Sequence, residues 1–126
     1  MAQPARVVIY HNPRCSKSRA ALELLEQAGV DFDVVRYLED PPTAQRLGEL
    51  VAVMGLSPRA AMRTKEKLYK ELGLDDPRLD DAALLAAMAA HPVLIERPIV
   101  ALGEKACLGR PPERVADFLA DMGLAD

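Results

Sequence analysis

The sequence has little cysteine, no excess of positive charge and no long hydrophobic run. Its two cysteines, Cys15 and Cys107, are too few for a disulfide framework or a four-ligand zinc site, and we expect no bound metal. The formal net charge of −3 argues against a general binder of nucleic acids or membrane surfaces, because such proteins need an excess of Lys and Arg. No stretch approaches the ~20 apolar residues of a membrane helix, and the N-terminus has no long apolar segment. We therefore expect a cytoplasmic protein with no nucleic-acid or membrane partner.

The length and composition predict a single domain over residues 1–126. A chain of 126 residues, 50% of them hydrophobic, falls in the commonest size range for one domain and can bury a real core. The sequence contains no repeat, low-complexity tract or interdomain linker that would divide it.

The first part of the chain has the pattern of a βαβ unit. Residues 6–10 form an apolar run typical of a buried strand, residues 18–28 carry the broad apolar face of a helix, and residues 30–37 form a second β-rich run. Gly29 is the predicted C-cap of the helix. Two strands joined by a helix pair in parallel through a right-handed crossover.

The middle third is predicted to be all helical. Thr43 is the predicted N-cap of a helix that runs to about Met54 and ends at Gly55. Shorter helical segments follow in the 57–63 and 66–72 regions and at 82–90, the last capped by Asp80 or Asp81.

The last third predicts a hairpin and a closing helix. Strands at 99–102 and 105–108 flank a turn at Gly103-Glu104, and an amphipathic helix covers 112–122. The order βαβ, helices, ββα predicts an α/β protein with a thioredoxin-like fold. Its four-stranded mixed sheet would carry a helical insertion between the βαβ and ββα halves.

Cys15 lies between the first predicted strand and the first predicted helix. The first N–H groups of a helix lack intrahelical partners, and together with the helix dipole they stabilise an anion such as a thiolate. The nearby charges of Arg14, Lys17 and Arg19, and of His11 when protonated, would also hold the thiol pKa below its free value of about 8.5. The sequence therefore predicts that Cys15 is an activated nucleophile.

The residues that follow Cys15 test two other kinds of site, a phosphatase loop and a dithiol redox motif. A phosphatase loop of the Cys-x5-Arg type needs arginine at position 21, which is Ala21. A dithiol redox motif needs cysteine at position 18, which is Ser18, so a second thiol would come from glutathione, another protein or Cys107. Because Cys107 falls within a predicted strand, we expect it to be structural.

Several motifs, in order along the chain, resemble the glutaredoxin-coupled arsenate reductase family (ArsC type). The signature His11-Asn12-Pro13-x-Cys15-x-x-Ser18-Arg19 opens the match. It continues through Tyr37-Leu38-Glu39-Asp40-Pro41-Pro42, Arg59-Ala60-x-x-Arg63, His91-Pro92, Arg97-Pro98-Ile99-Val100 and Gly109-Arg110-Pro111. The family usually has cysteine directly before its third arginine, where this chain has Gly109. The segment Gly109-Arg110-Pro111-Pro112-Glu113 resembles a related branch.

The resemblance implies reduction of arsenate to arsenite through an adduct of Cys15 with arsenic. Glutathione, as co-substrate, and then glutaredoxin would supply the electrons, with no bound cofactor. The anion-binding arginines of the family correspond to Arg63, Arg97 and Arg110. The active-site histidine corresponds to His11, which would keep Cys15 a thiolate as a nearby cation or by fixing the loop.

Three further residues are expected to shape the site without reacting. Asn12 and Ser18 have side chains that cap and turn the backbone, so they are as suited to shaping the loop as to touching substrate. Thioredoxin-like folds place a cis-proline at the start of the third strand, facing the reactive cysteine, and Pro98 occupies that position. We therefore predict a cis bond between Arg97 and Pro98.

Two alternative functions stay open at this point. A monothiol glutaredoxin-like enzyme acting on glutathione mixed disulfides would need Cys15 but not all three arginines. A regulator resembling Spx, which shares this fold and binds RNA polymerase, commonly carries Cys-x-x-Cys where this chain has Cys15 and Ser18.

Overall fold

A computed structural model describes residues 6–124 of the chain. Its strands are β1 (Val7–Tyr10), β2 (Phe32–Val35), β3 (Ile99–Leu102) and β4 (Lys105–Leu108). Its α-helices are α1 (Ser16–Ala28), α2 (Ala44–Val53), α3 (Lys67–Glu71), α4 (Asp81–Ala90) and α5 (Glu113–Asp121). Short 3-10 helices lie at Arg59–Ala61 and Pro92–Leu94. None of the helices in this part of the chain is long and apolar enough to cross a membrane. The N-terminal segment 1–5, which entered the cytoplasmic prediction, lies outside the described residues.

The described chain forms two compact units. One combines the residues up to Tyr37 with those from Arg97 onwards, and the other is Leu38–Glu96. The second unit is the predicted helical insertion. The prediction of a single domain over residues 1–126 stays a prediction.

The first unit is a four-stranded mixed sheet in the order β2-β1-β3-β4. β1 and β2 are parallel, as the βαβ pattern predicts, and the other two pairings are antiparallel. Side chains from the sheet, α1 and α5 form one apolar core, which includes Ile9, Leu25, Val100, Val115 and Leu119. The α/β fold class and the four-stranded mixed sheet are therefore confirmed.

Several element boundaries match the sequence pattern, and others differ from it, mostly by one residue. β3 and β4 have the predicted bounds. α1 ends at Ala28, and Gly29 is its C-cap, with a φ of 70° in the left-handed conformation that glycine favours. α1 begins at Ser16, two residues earlier than predicted, because Cys15 is its N-cap with an extended backbone. β2 is shorter than the predicted 30–37 segment because, as an edge strand, it pairs only with the four residues of β1.

The second unit is mainly helical, and side chains cap the N-termini of its helices α2 and α4. Thr43 caps α2 by accepting a hydrogen bond from the Arg46 N–H at 3.1 Å. Asp80, rather than Asp81, caps α4 by accepting one from the Ala83 N–H at 2.9 Å. The prediction that this third is all helical is wrong in one detail, because Met62 and Ile95 form an antiparallel β-bridge.

Gly109 allows two backbone segments of the first unit to approach closely. Its N–H donates to the Pro98 carbonyl at 2.8 Å. A Cβ atom added at Gly109 would lie 2.9 Å from Pro98 Cγ and 3.0 Å from Val115 Cγ2, both inside normal contact distance. The contact needs a residue without a side chain.

We predict that Gly109→Ala lowers the free energy of unfolding by about 1–3 kcal/mol, the usual cost of overpacking a core. Chemical denaturation measures this change. Gly48→Ala is the matched control, because its Cβ would meet only the flexible tip of Leu85 at 3.3 Å inside a helix, where Ala is favoured over Gly. Equal free energies for wild type and Gly109→Ala would contradict the packing described.

Candidate active site

The candidate site lies in the first unit, at the edge of the sheet where β1, β2 and β4 end and β3 begins. β1 ends at Tyr10, which pairs with the first residue of β3, Ile99, and Ile99 pairs in turn with the last residue of β4, Leu108. The loop that begins at His11 and the segments containing Pro98 and Gly109 therefore meet at this edge. Sequence positions far apart in the chain converge here because antiparallel pairing places the end of one strand beside the start of the next.

Hydrogen bonds donated by backbone N–H groups hold the loop between β1 and α1. The His11 N–H donates to the Val35 carbonyl at 2.8 Å, and the Cys15 N–H donates to the Asn12 carbonyl at 3.0 Å. The Asn12 side chain accepts from the Arg14 N–H at 3.0 Å, which is a local turn-forming contact. Asn12 thus shapes the loop that presents Cys15.

Ser18 links this loop to the helix. Its side chain is fully buried, and its Oγ lies 2.6 Å from His11 Nδ1 and accepts a hydrogen bond from the Asn12 N–H at 3.0 Å. The same residue belongs to the first turn of α1, directly after the Cys15 cap. One buried hydroxyl therefore fixes the positions of His11, Asn12 and the start of α1 together.

His11 is held in its neutral form. Burial, together with the positive charges of Arg36 and Arg19, lowers the pKa of its imidazole below the ordinary value of 6.5. The ring is therefore uncharged at neutral pH. Of the two roles that the sequence left open, the geometry favours fixing the loop over acting as a cation beside Cys15.

The Cys15 thiol is shifted towards the thiolate. Partial burial acts to raise its pKa, but the backbone N–H groups of Ser18 and Lys17 and the guanidinium of Arg97 outweigh burial, so the net pKa is lowered. The thiol does not form a full capping hydrogen bond in the structure, so these donors favour the negative charge that forms on deprotonation. Ionisation of Cys15 is therefore favoured by the helix start and by one arginine.

The charged residue that acts on Cys15 is not one of its sequence neighbours. Arg14, Lys17 and Arg19 are exposed, and Arg19 Nη1 donates to the Pro13 carbonyl at 2.9 Å. Arg97, from the segment before β3, reaches the sulfur instead. Sequence spacing could not reveal this contact because it depends on how β3 pairs with β1.

Arg97 and Arg110 are brought together by a side-chain contact. Arg110 Nη1 donates to the Arg97 carbonyl at 3.2 Å. The Arg97-Pro98 peptide bond is cis, as predicted, and Arg110-Pro111 is a second cis bond that the sequence reasoning missed. Both arginines therefore belong to the same edge of the sheet as Cys15.

Arg63 lies in the second unit, where two contacts hold it. Its N–H donates to the Leu94 carbonyl at 2.8 Å. Its Nη1 lies 2.6 Å from Glu66 Oε1, and both side chains are about one quarter exposed. Glu66 was missed by sequence reasoning, although the three-residue spacing is typical of a helical ion pair. The role of Arg63 as a substrate ligand stays a prediction.

The thiol of Cys107 has a raised pKa, in contrast to the lowered pKa of Cys15. It lies on β4 and packs against the apolar core of the first unit. Burial raises its pKa to about 12, an effect that the charge of Arg114 only partly offsets. Cys107 is therefore a packed thiol, in keeping with the structural role expected from its strand. Within residues 6–124, no group of three His, Cys, Asp or Glu side chains is arranged to hold a metal ion.

The chain is similar to known proteins over most of its length. The family model described as the ArsC family matches residues 10–118. An arsenate reductase of Neisseria meningitidis (serogroup A / serotype 4A) is 56% identical over 114 residues, which cover 90% of this chain and 97% of the relative. An arsenate reductase of Escherichia coli is 44% identical over 119 residues, covering 93% of this chain and 83% of the relative.

The fold agrees with that of a solved structure. A structure described as arsenate reductase from Vibrio cholerae superimposes with a TM-score of 0.87 at 54% identity, covering 91% of this chain and 98% of that one. The segment that matches the ArsC family model, residues 10–118, contains Cys15, Arg97 and Arg110, which belong to the candidate site in the first unit. This chain belongs to the ArsC family.

Proposed function

We propose that this protein is an arsenate reductase that uses Cys15 as its nucleophile and takes electrons from glutathione and glutaredoxin. The observation that carries the proposal is the Cys15 thiol, its pKa lowered by the start of α1 and by Arg97, in a member of the ArsC family. Relatives at 44% and 56% identity that are named arsenate reductases support the choice of substrate.

The first step requires a thiolate and a site for an oxyanion. Arsenate is tetrahedral and negatively charged, and a guanidinium can donate paired hydrogen bonds to two of its oxygens while remaining charged at all working pH values. Arg97 acts on the Cys15 sulfur and Arg110 contacts the Arg97 carbonyl, so these two arginines are the candidates to hold the oxyanion in the first unit. The Cys15 sulfur attacks arsenic, and one oxygen leaves as water after protonation, which leaves a bond between sulfur and arsenic(V).

The second step supplies two electrons from thiols. Glutathione replaces another oxygen of the adduct, which again leaves as water. The glutaredoxin thiol then attacks the glutathione sulfur, and the electron pair of the broken sulfur–arsenic bond stays on arsenic, which becomes arsenic(III). Hydrolysis releases arsenite and restores the Cys15 thiol. The electrons come from outside the protein because position 18 is serine and Cys107 is packed with a raised pKa.

A coupled assay tests this proposal. Purified protein, glutathione, glutaredoxin and an NADPH-linked glutathione reductase are mixed with arsenate or with a glutathione mixed disulfide. We expect NADPH oxidation that depends on arsenate and yields arsenite. Turnover of the mixed disulfide alone would support the monothiol glutaredoxin-like alternative, and turnover of neither substrate would overturn both enzymatic functions.

We predict that Cys15→Ser abolishes arsenate reduction, because a serine hydroxyl stays protonated at neutral pH and is a far poorer nucleophile than a thiolate. Cys107→Ala is the matched control and should retain turnover, since that thiol is packed in the core. The arsenite assay measures both variants, and circular dichroism checks that they fold. Residual Cys15→Ser activity above about a tenth of wild type would contradict the assignment of Cys15 as the nucleophile.

We predict that the rate of Cys15 alkylation by iodoacetamide rises with pH around a midpoint below the free-thiol value of about 8.5. Because the positive charge of Arg97 favours the thiolate, Arg97→Gln should move this midpoint to higher pH. Mass spectrometry after a timed reaction resolves Cys15 from Cys107. A midpoint that does not change in Arg97→Gln would show that the guanidinium does not act on the sulfur.

Arg97→Lys tests the geometry of the anion contact separately from its charge. A lysine keeps the positive charge but cannot donate two parallel hydrogen bonds to an oxyanion. We expect kcat/KM for arsenate to fall by about tenfold or more, the usual effect of losing one charge-assisted hydrogen bond. Unchanged kcat/KM in the arsenite assay would mean that Arg97 is not the clamp for the substrate.

A further inference from the structure

The charges of the first unit are unevenly distributed across its sheet. Arg36 directly follows β2, and Arg14 and Lys17 flank the start of α1, so all three belong to the edge at which Cys15 lies. Arg97 and Arg110 join them at that edge. Asp31, Asp33 and Glu104 lie towards the opposite edge, beside the start of β2 and in the β3–β4 turn.

The side chains of three of these cations do not contact Cys15, although the charge of Arg36 lowers the pKa of His11. Arg14, Lys17 and Arg36 have exposed side chains, and within residues 6–124 none of them makes an ion pair. Other cations of the chain do have carboxylate partners, such as Arg6 with Asp33 at 3.1 Å and Arg78 with Asp76 at 2.9 Å. Although the protein has a net charge of −3, this edge of the first unit carries Arg14, Lys17, Arg36, Arg97 and Arg110, with Glu113 at the start of α5 as a carboxylate beside them.

The position of Lys17 opposes local preference. Helices favour Asp and Glu in their first turn because the dipole is positive there, yet the first turn of α1 holds no acidic residue and includes Lys17. α5, by contrast, follows the preference, because Glu113 lies in its first turn. Departures from local preference are expected at functional sites.

The charges also converge on the site itself. Arg36 and Arg19 both act electrostatically on the His11 ring, which is hydrogen-bonded to Ser18 beside Cys15. Exposed charges influence one another only within about a Debye length, roughly 10 Å at moderate salt. An anion approaching Cys15 from solvent therefore enters a field to which several cations contribute.

We propose that Arg14, Lys17 and Arg36 form an outer cationic surface that recruits the small thiol reductant to the Cys15 adduct through the carboxylates of that thiol. The inference rests on the proposed function and extends it, since Arg97 and Arg110 serve the oxyanion whereas these three serve the thiol. The favoured partner is a peptide thiol with free carboxylates and net negative charge, such as glutathione. A neutral thiol gains nothing from this surface.

Alkylation of Cys15 tests the surface without any arsenic chemistry. Iodoacetate is an anion and iodoacetamide is neutral, so the ratio of their rates reports the field at the sulfur while correcting for its pKa. In low salt we expect Arg14→Gln/Lys17→Gln/Arg36→Gln to lower this ratio by on the order of threefold. About 0.5 M salt, which shortens the Debye length to a few ångström, should do the same to wild type.

Lys105→Gln is the matched control. It removes an exposed cation from the same unit at the opposite edge of the sheet, and its ratio should equal that of wild type. A ratio that is insensitive to the triple variant and to salt would overturn the inference. An equal fall in Lys105→Gln would show that overall charge, rather than this surface, sets the ratio.

Turnover separates this inference from the proposed function. At saturating arsenate, we expect Arg14→Gln/Lys17→Gln, which leaves Arg36 and its effect on His11 in place, to raise the KM for glutathione about twofold. The kcat and the rate supported by 2-mercaptoethanol should stay unchanged. An equal loss with both thiols would overturn the recruitment of an anionic thiol and leave the arsenate reductase proposal standing. No arsenite from wild type with either thiol would instead overturn the proposed function.

Discussion

The balance of charge at the Cys15 sulfur is the constraint on which the rest of the site depends. Burial acts against the thiolate, while two backbone N–H groups at the start of α1 and the guanidinium of Arg97 act for it, and the second set prevails. A residue that merely packed in the core would show the balance seen at Cys107, where burial dominates and the pKa rises to about 12. The pKa of a cysteine thiol in this protein is therefore lowered where hydrogen-bond donors and a positive charge lie beside the sulfur, and raised where burial dominates.

The fold supplies these donors by bringing together parts of the chain that are distant in sequence. The N–H groups of Lys17 and Ser18 face the sulfur because α1 starts at Ser16, directly after the Cys15 cap. The buried hydroxyl of Ser18 ties that start to the end of β1 through His11. Arg97 arrives from the other half of the unit because β3 lies antiparallel to β1.

Gly109 completes the arrangement from the end of β4. Without a side chain there, the backbone lies against Pro98 and donates a hydrogen bond to its carbonyl. Arg110, the next residue, can then place its guanidinium on the carbonyl of Arg97. The contact between the Arg110 side chain and the Arg97 carbonyl therefore depends on the close approach that Gly109 allows.

Local features of this chain were predictable from sequence, and long-range ones were not. The bounds of β3 and β4 and the caps at Thr43 and Gly29 follow from residue patterns that act over a few positions. The identity of the cation at Cys15 does not, because spacing favoured the neighbours of Cys15 whereas strand pairing delivers Arg97. The neutral state of His11 likewise depends on burial and on Arg36, which no local pattern reveals.

Ultraviolet titration of the two thiols tests the central claim most directly, because thiolates absorb where thiols do not. The account predicts one lower step, below the free-thiol pKa of about 8.5. Cys15→Ser should remove this step, and Cys107→Ala should leave it unchanged. A lower step that survives in Cys15→Ser, or a wild-type protein with no step below about 8.5, would contradict the account.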